Sequence, residues 1–226
     1  MRLKKKVVVI TGGSKGLGKA LASEFVKEGS VVVISARNRK ELWNTARECR
    51  AIPFVADITK EQNIMSLAKF VKKRLGRIDV WVNNAGVTIP HSDIDGITSE
   101  AAHNVMEVNF FGTFYGLQAV IPIMKKQHHG TIVNIISMSA LVGRPRSLMY
   151  SSSKWAARGL TEGIRMALKP KRISIIAVHP GGMKTTIFGK HLPQGYDDWM
   201  EPDFVAKKII QNLKRAKPRE EIVIHR

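Results

Sequence analysis

The stretch Val7–Gly18 reads Val-Val-Val-Ile-Thr-Gly-Gly-Ser-Lys-Gly-Leu-Gly. Its first four residues form a short apolar run, the pattern of a buried strand. Leu17, Leu21 and Phe25 then recur at helical spacing. A strand, a glycine-rich turn and a helix in this order let the backbone approach a pyrophosphate at the helix N-terminus. The spacing is G-x-x-x-G-x-G rather than G-x-G-x-x-G, and on its own such a turn could be only a tight connection.

The alternation of apolar strands with helical patterns continues to the end of the chain. Further strands are predicted at Val31–Ile34, Ile52–Val55, Ile78–Val82, Thr131–Ile136, Ile173–Val178 and Ile222–Ile224. Long helices are predicted at Glu100–Gln127, Tyr150–Leu168 and Phe204–Leu213. Continuous β-branched runs separated by helices are typical of a parallel sheet with helices on both faces. The sequence therefore predicts an α/β fold, with residues 1–226 in a single doubly wound, Rossmann-like domain around a mostly parallel, seven-stranded sheet.

Composition limits the kinds of site that the chain can carry. Of 226 residues, 44% are hydrophobic and one is a cysteine, Cys49. A single cysteine excludes internal disulfides and cysteine-rich zinc sites and suits a reducing compartment. No apolar run approaches the ~20 residues of a membrane span, and Val7–Ile10 is too short for the core of a signal peptide. We expect a cytoplasmic protein without a metal site, because the histidines show no metal-ligand spacing.

The charge is strongly positive, with 37 Lys and Arg against 18 Asp and Glu, a formal net charge of +19. Such a charge can indicate a nucleic acid, an acidic partner protein or an anionic cofactor. It can also reflect only solvated helix faces. The basic residues are spread through the chain without one tight cluster or interleaved aromatic residues. We therefore expect no nucleic-acid partner, and the charge alone does not decide between the other readings.

A second motif follows the predicted fifth strand. Tyr150 and Lys154 lie four residues apart in a helical pattern, so both project from one face. A phenol titrates near pH ~10, and a neighbouring ammonium lowers that pKa towards the range of a useful general acid. Ser137, at the end of the strand, can hold a substrate oxygen beside the phenol. The pattern predicts proton transfer at a carbonyl or an alcohol, although Tyr-x-x-x-Lys alone is also common on ordinary helix faces.

Taken together, the motifs resemble those of the short-chain dehydrogenases/reductases, and most of all their 3-oxoacyl carrier-protein reductase group. The resemblance covers essentially the whole chain and rests on Thr11-Gly-x-x-x-Gly-x-Gly18, Asn83-Asn-Ala-Gly86, Asn109, Ser137, Tyr150-x-x-x-Lys154 and Pro180-Gly-x-x-x-Thr185. It implies an oxidoreductase that reduces a carbonyl to an alcohol by hydride transfer from a nicotinamide cofactor, with tyrosine as the general acid.

The resemblance also implies a role for each member of a catalytic tetrad. Tyr150 would give a proton to the carbonyl oxygen, and Ser137 would fix that oxygen. Lys154 would lower the pKa of the tyrosine and bind the nicotinamide ribose. Asn109 would hold a water that links Lys154 to solvent, although an asparagine there could also merely bend its helix. Ser139 is the rival of Ser137 and is expected to line the pocket.

Cofactor contacts follow from the same resemblance. The expected binding residues are Gly12, Ser14, Lys15, Gly16, Leu17, Gly18, Arg37, Asp57, Ile58, Asn84, Ala85, Gly86, Tyr150, Lys154, Pro180, Gly181 and Thr185. An NAD enzyme usually places an acid at the end of the second strand, where this chain has Ala36 followed by Arg37. A guanidinium can pair with a ribose 2′-phosphate, and Lys15 adds a second cation at the same end. The prediction is NADP(H), with Asp57 at the adenine.

Three segments are expected to line the substrate site: Val87–Ile94, Met138–Arg146 and the lid Gly182–Met200. The substrate is either a 3-oxoacyl thioester on an acidic acyl carrier protein or a small ketone, sugar or quinone. A non-catalytic NADP-binding regulatory protein is a further alternative. A carrier protein is expected to dock on a basic patch formed by Lys125, Lys126, His128, Lys171 and Arg172.

Assembly into a homodimer or homotetramer is also expected. The helices Glu100–Gln127 and Tyr150–Leu168 carry apolar residues around more of their circumference than one sheet contact needs. In the family that this chain resembles, these two helices commonly pair across a two-fold axis. The aromatic residues concerned are Phe110, Phe111, Phe114, Tyr115 and Trp155.

Overall fold

The structure is a computed structural model that describes residues 1–145, 147–189, 192–193 and 195–225. Arg146, Lys190, His191, Gln194 and Arg226 lie outside the described residues. The last residue of the predicted segment Met138–Arg146 and three positions of the predicted lid are therefore not described.

Seven strands of the described chain form one sheet in the order β3-β2-β1-β4-β5-β6-β7. Every neighbouring pair is parallel. The strands are β1 (Val7–Thr11), β2 (Val31–Ala36), β3 (Ile52–Val55), β4 (Val80–Asn83), β5 (Gly130–Ile135), β6 (Ile173–Pro180) and β7 (Glu221–Ile224). The predicted doubly wound, Rossmann-like fold is confirmed, and the pairing is parallel throughout rather than mostly parallel.

Helices cover both faces of the sheet. They are α1 (Gly16–Lys27), α2 (Arg39–Cys49), α3 (Glu61–Leu75), α4 (Ser99–Met106), α5 (Gly112–Gln127), α6 (Leu148–Leu168) and α7 (Pro202–Lys214). Strand β1 shows why both faces need cover. Val8 and Ile10 pack into the core beneath α1 and α7, whereas Val7 and Val9 pack into the core beneath α3 and α5. Side chains alternate along a strand, so a strand buried on both faces must be apolar at every position.

The predicted helix Glu100–Gln127 is not one continuous α-helix. A π-helical segment, Glu107–Phe111, separates α4 from α5. The extra residue of a π turn changes which side chains face inward, and such turns are frequent at functional sites. Here Asn109 is fully buried, and its backbone carbonyl accepts a hydrogen bond from the hydroxyl of Thr113 at 2.9 Å.

The predicted docking patch lies at the edge of the sheet where the strands begin. Lys125 and Lys126 end α5 before β5 begins, and Arg172 directly precedes β6. Residues that precede parallel strands lie at their amino ends, whereas Ser137 and Pro180 lie at their carboxyl ends. Ligands of such sheets bind at the carboxyl ends. The patch therefore lies at the edge opposite the catalytic residues, and docking of a carrier protein there stays a prediction.

In the part of the chain that the structure describes, no helix is long and apolar enough to cross a membrane.

Candidate active site

A cavity of about 1000 Å³ runs along the carboxyl ends of the central strands. The chain crosses over after β3 and continues at β4 on the other side of β1, and a crevice forms where the winding reverses in this way. Most predicted site residues line the cavity: Gly12, Ser14, Lys15, Gly16, Leu17, Arg37, Ile58, Asn84, Ala85, Gly86, Ser137, Tyr150, Lys154, Pro180, Gly181 and Thr185. Gly18, Asp57 and Asn109 are not among the residues that line it.

The glycine-rich turn is held by close backbone packing. Gly12 has a φ of +64°, and a Cβ atom there would lie 2.8 Å from the Cα of Ala85. A Cβ atom on Gly18 would lie 2.2 Å from the carbonyl oxygen of Gly12. The amide nitrogen of Asn84 donates to the carbonyls of Thr11 at 2.9 Å and Gly12 at 3.1 Å. Gly18 thus serves the shape of the turn, and Asn84 braces it.

The start of α1 suits an anionic ligand. The residue before the helix, Lys15, makes no side-chain hydrogen bond to the helix end, and the first turn holds no acidic residue. The amide groups of that turn are therefore not capped by a side chain, and they line the cavity at Gly16 and Leu17. Uncapped amides at a helix N-terminus are a binding site for phosphate groups.

The ribose end of the cavity has charged side chains of both signs. Arg37 and Lys15 line it as predicted, directly after β2 and in the glycine turn. Glu41, in the first turn of α2, also lines it and was not predicted. Two cations against one carboxylate leave this end positive. The turn itself is fixed to α2, because the hydroxyl of Thr45 donates to the carbonyl of Ser14 at 2.7 Å.

Asp57 shapes the turn after β3. Its Oδ1 accepts hydrogen bonds from the backbone nitrogen of Thr59 at 3.0 Å and from the hydroxyl of Thr59 at 2.9 Å. Its neighbours Ala56 and Ile58 line the cavity. Contact of Asp57 with an adenine ring stays a prediction.

Tyr150 and Lys154 lie on consecutive turns of α6. The ammonium of Lys154 is 5.7 Å from the centre of the Tyr150 ring and donates to the carbonyl of Ile135 at 3.0 Å. Lys154 is only 5% exposed, and this burial lowers its pKa to about 8. At neutral pH it therefore still carries its charge.

The pKa of Tyr150 differs from the sequence-based expectation. Burial raises it above its usual value near 10, and a hydrogen bond with Ser137 opposes that rise. Lys154 does not contribute to this shift in the pKa of Tyr150, and its ammonium donates to the carbonyl of Ile135 instead. A phenol with a raised pKa stays protonated at neutral pH, which suits donation of a proton to a carbonyl oxygen.

Ser137 is fixed where β5 ends. Its Oγ accepts a hydrogen bond from the backbone nitrogen of Ser139 at 3.0 Å, and its hydroxyl lies close enough to the phenol of Tyr150 to lower the pKa of that phenol. Ser139 lines the cavity, as predicted for the rival serine. The geometry therefore supports Ser137, rather than Ser139, as the partner of the tyrosine.

Asn109 joins the loop after β4 to α6. Its Oδ1 accepts from the backbone nitrogen of Val87 at 2.9 Å, and its Nδ2 donates to the Val87 carbonyl and to the Oγ of Ser153, both at 2.9 Å. Ser153 in turn donates to the Tyr150 carbonyl at 2.7 Å. Ser153 was missed by the sequence analysis, which offers no signal for a buried helix serine. Side-chain hydrogen bonding thus positions the cavity wall, and a water held by Asn109 stays a prediction.

The lid over the substrate end is pinned at both ends. The backbone nitrogen of Met200 donates to the carbonyl of Gly182 at 3.1 Å, and that of Lys184 donates to the carbonyl of Met200 at 2.9 Å. Between them, the rings of Phe188, Tyr196 and Trp199 pack with centres 5.3 to 6.3 Å apart. The lid residues that line the cavity are Gly182, Met183, Thr185, Thr186, Ile187, Phe188, Leu192, Pro193 and Trp199. The lid therefore presents a largely apolar wall to the cavity.

The Gly182→Ala substitution is expected to displace this wall. A Cβ atom at Gly182 would lie 2.5 to 2.8 Å from three atoms of the Trp199 indole, so the ring must move. We expect the KM of the carbonyl substrate to rise about fivefold, roughly 1 kcal/mol, while cofactor affinity is unchanged. Gly143→Ala is the matched control, because no atom lies within 4 Å of a Cβ atom there. Equal KM values for the two variants in steady-state kinetics would contradict the role of this contact.

Known proteins resemble this chain over most of its length. An uncharacterised oxidoreductase of Staphylococcus aureus (strain USA300) is 29% identical over 217 residues, which cover 94% of this chain and 92% of that protein. The sepiapterin reductase of Chlorobaculum tepidum is 32% identical over 219 residues, which cover 92% of this chain and 89% of that protein.

The fold agrees equally well with a solved structure. The 3-ketoacyl-(acyl-carrier-protein) reductase from Brucella melitensis, complexed with NADH, has a TM-score of 0.93 at 24% identity, over 99% of this chain and 98% of that chain. The family model described as short chain dehydrogenase matches residues 6–194. Because this match spans most of the sequence and includes Ser137, Tyr150 and Lys154, the chain belongs to the short-chain dehydrogenase family.

Proposed function

We propose that this protein is an NADP(H)-dependent oxidoreductase that reduces a carbonyl to an alcohol. The observation that supports it is the placement of Ser137, Tyr150 and Lys154 in the same cavity as the uncapped start of α1. When bound there, the nicotinamide cofactor supplies the hydride. Ser137 holds the carbonyl oxygen, Tyr150 gives it a proton, and the ammonium of Lys154 stabilises the phenolate that remains.

The preference for NADP(H) is part of the proposal. It rests on Arg37 and Lys15 at the ribose end, where Glu41 offsets only one of the two charges. The Brucella reductase was solved with NADH, and a relative from Burkholderia phymatum with NAD. Both are under 25% identical to this chain, so they show that the fold is shared. They do not bear on whether this chain prefers NADP(H) or NAD(H).

The substrate end of the cavity favours a carbonyl compound with an apolar part and an anionic group. Phe188, Leu192 and Trp199 form the apolar wall, and Arg144 and His91, from the other two segments expected at the substrate, also line the cavity. Among the described lining residues, the one acidic side chain is Glu41, which lies at the ribose end. A 3-oxoacyl thioester with a phosphate-bearing carrier matches this lining better than a neutral ketone or sugar does.

The test is a spectrophotometric screen of NADPH oxidation. We expect acetoacetyl-coenzyme A to be turned over in preference to acetone, glucose and benzoquinone. The Arg144→Gln substitution is expected to raise KM for acetoacetyl-coenzyme A about tenfold, the effect of losing one charged contact. KM for a neutral acetoacetyl thioester is expected to be unchanged.

Lys171→Gln is the control, because it removes one positive charge at the amino edge of the sheet. An equal effect of Lys171→Gln and Arg144→Gln would indicate that only net charge matters. Turnover of simple carbonyls without turnover of thioesters would contradict the thioester assignment.

Assembly into a homodimer or homotetramer and a cytoplasmic location remain part of the proposal. Phe111, Phe114 and Trp155 are more than a third exposed on the π-helical segment, α5 and α6, which agrees with an apolar face that a second copy covers. A non-catalytic regulatory role is disfavoured, because the tyrosine, lysine and serine are present together in the cavity.

A further inference from the structure

We propose that His179 and Arg158, bridged by Glu221, are positioning residues that hold the turn carrying Ser137 in place for catalysis. The inference rests on the proposed function, since it assumes that Ser137 holds the substrate oxygen. It concerns a second layer of charged groups behind the cavity: none of the three residues is among those that line it.

His179 contacts Ser137 from inside the core. It lies near the end of β6 and is 0% exposed. Its Nδ1 is 3.1 Å from the carbonyl oxygen of Ser137, and its Nε2 is 2.8 Å from Oε1 of Glu221. The second contact has the distance of an ion pair but not the alignment of a hydrogen bond.

Both ring nitrogens of His179 therefore face oxygen atoms that only accept. The imidazole therefore links the Ser137 carbonyl to the Glu221 carboxylate, by a hydrogen bond at Nδ1 and a close contact at Nε2. The carboxylate limits how the buried ring can shift, and the ring in turn holds the carbonyl of Ser137.

Arg158 ties the other end of the same turn. It lies on α6, one turn after Lys154, and its Nη1 donates to the carbonyl of Ala140 at 3.2 Å. Its Nη2 is 3.5 Å from Oε1 of Glu221. The first and last residues of the turn Ser137–Ala140 are thus connected through His179 and Arg158 to one carboxylate.

The position of the Glu221 carboxylate is determined by the pairing of β7 with β6. Glu221 is the first residue of β7 and lies opposite Ala177 of β6. Charged groups that face His179 are therefore Glu221 from β7 and, through it, Arg158 from α6; the turn contributes only backbone carbonyls. A small shift of a positioned reacting group can cost about a hundredfold in rate. Loss of this bridge is therefore expected to lower kcat more than it changes KM.

The test compares Glu221→Gln with Glu220→Gln. Glu220 is the preceding residue, and its side chain approaches Arg165 at 3.9 Å instead of the bridge. At pH 8 we expect Glu221→Gln to lower kcat about tenfold with cofactor affinity unchanged, a change of about 1.4 kcal/mol in the barrier. Glu220→Gln is expected to match the wild type.

Comparing kcat with KM separates positioning from a general structural defect. A positioning role predicts that Glu221→Gln lowers kcat while KM for the carbonyl substrate stays within about twofold of the wild type. A rise in KM as large as the fall in kcat, or no fall in kcat, would overturn the proposal.

A spectroscopic measurement keeps the test independent of activity. Nitrogen-edited NMR of the histidine rings should show the ring signals of His179 shifted in Glu221→Gln and unchanged in Glu220→Gln. Unchanged His179 signals in Glu221→Gln would overturn the proposed bridge. If no carbonyl is reduced but the His179 signals shift in Glu221→Gln, the proposed function fails and the bridge stands.

Discussion

Replacing Tyr150 by phenylalanine is expected to lower kcat for carbonyl reduction about a thousandfold, within the range that general acid catalysis contributes. The substitution removes one oxygen and keeps the ring beside Lys154. Cofactor affinity should be unchanged, because the glycine turn and the start of α1 are untouched. Stopped-flow reduction and fluorescence titration with NADPH measure the two quantities.

The control for this prediction is Tyr115→Phe, which removes a phenol on α5 that is not among the residues lining the cavity. Turnover of Tyr150→Phe close to that of the wild type would contradict the mechanism. The direction of the pKa shift adds a second check. Because burial raises the pKa of Tyr150, the donor form persists at neutral and mildly alkaline pH, whereas alcohol oxidation needs the phenolate and should speed up as the pH rises.

The second large effect is expected at the ribose end. Replacing Lys15 and Arg37 together by glutamine should raise the Kd of NADPH about a hundredfold, because each charge-assisted contact contributes about 1.5–3 kcal/mol. The Kd of NADH should change less than about threefold, since NADH has no 2′-phosphate for these cations to bind.

Lys40→Gln serves as the control here, because Lys40 is an exposed cation of α2 that does not line the cavity. Equal weakening of NADPH and NADH by the double substitution would show that Lys15 and Arg37 do not recognise the 2′-phosphate. In that case Glu41, the acidic residue at the same end, becomes the candidate for binding a ribose 2′-hydroxyl.

The fold could be predicted because a strand buried on both faces of the sheet must be apolar at consecutive positions, a pattern that is visible in the sequence. Every position of β1 is apolar up to Thr11, and the helix that follows repeats its apolar residues at a different period. The predicted site residues mostly follow strands, and parallel strands bring such residues to one edge. The same rule applies to the predicted docking patch. Lys125 and Arg172 precede their strands, so their placement at the opposite edge could have been deduced from the sequence.

Other features depend on contacts that a sequence pattern does not contain. The helical spacing of apolar residues continues across Glu107–Phe111. The extra residue of the π-helical turn does not change this spacing visibly, so the sequence did not predict the turn. The raised pKa of Tyr150 depends on how deeply the folded chain buries the phenol. His179 precedes Pro180 and belongs to no motif that marks it as functional. Its connection to Glu221 arises from the register of β7 on β6, far apart along the chain.

Burial of Lys154 has a consequence for the stability of the fold. A lysine pKa lowered from 10.5 to about 8 means that folding the charged form costs roughly 3 kcal/mol more than folding the neutral form. Below pH 8 both the folded and the unfolded chain hold the proton, and the cost is fully present. Between pH 8 and 10.5 the folded chain has released a proton that the unfolded chain still binds, so the free energy of unfolding rises with pH. Folding is therefore favoured by the neutral amine of Lys154, whereas the proposed reaction uses its ammonium. The reaction proceeds at pH values at which Lys154 lowers the free energy of unfolding.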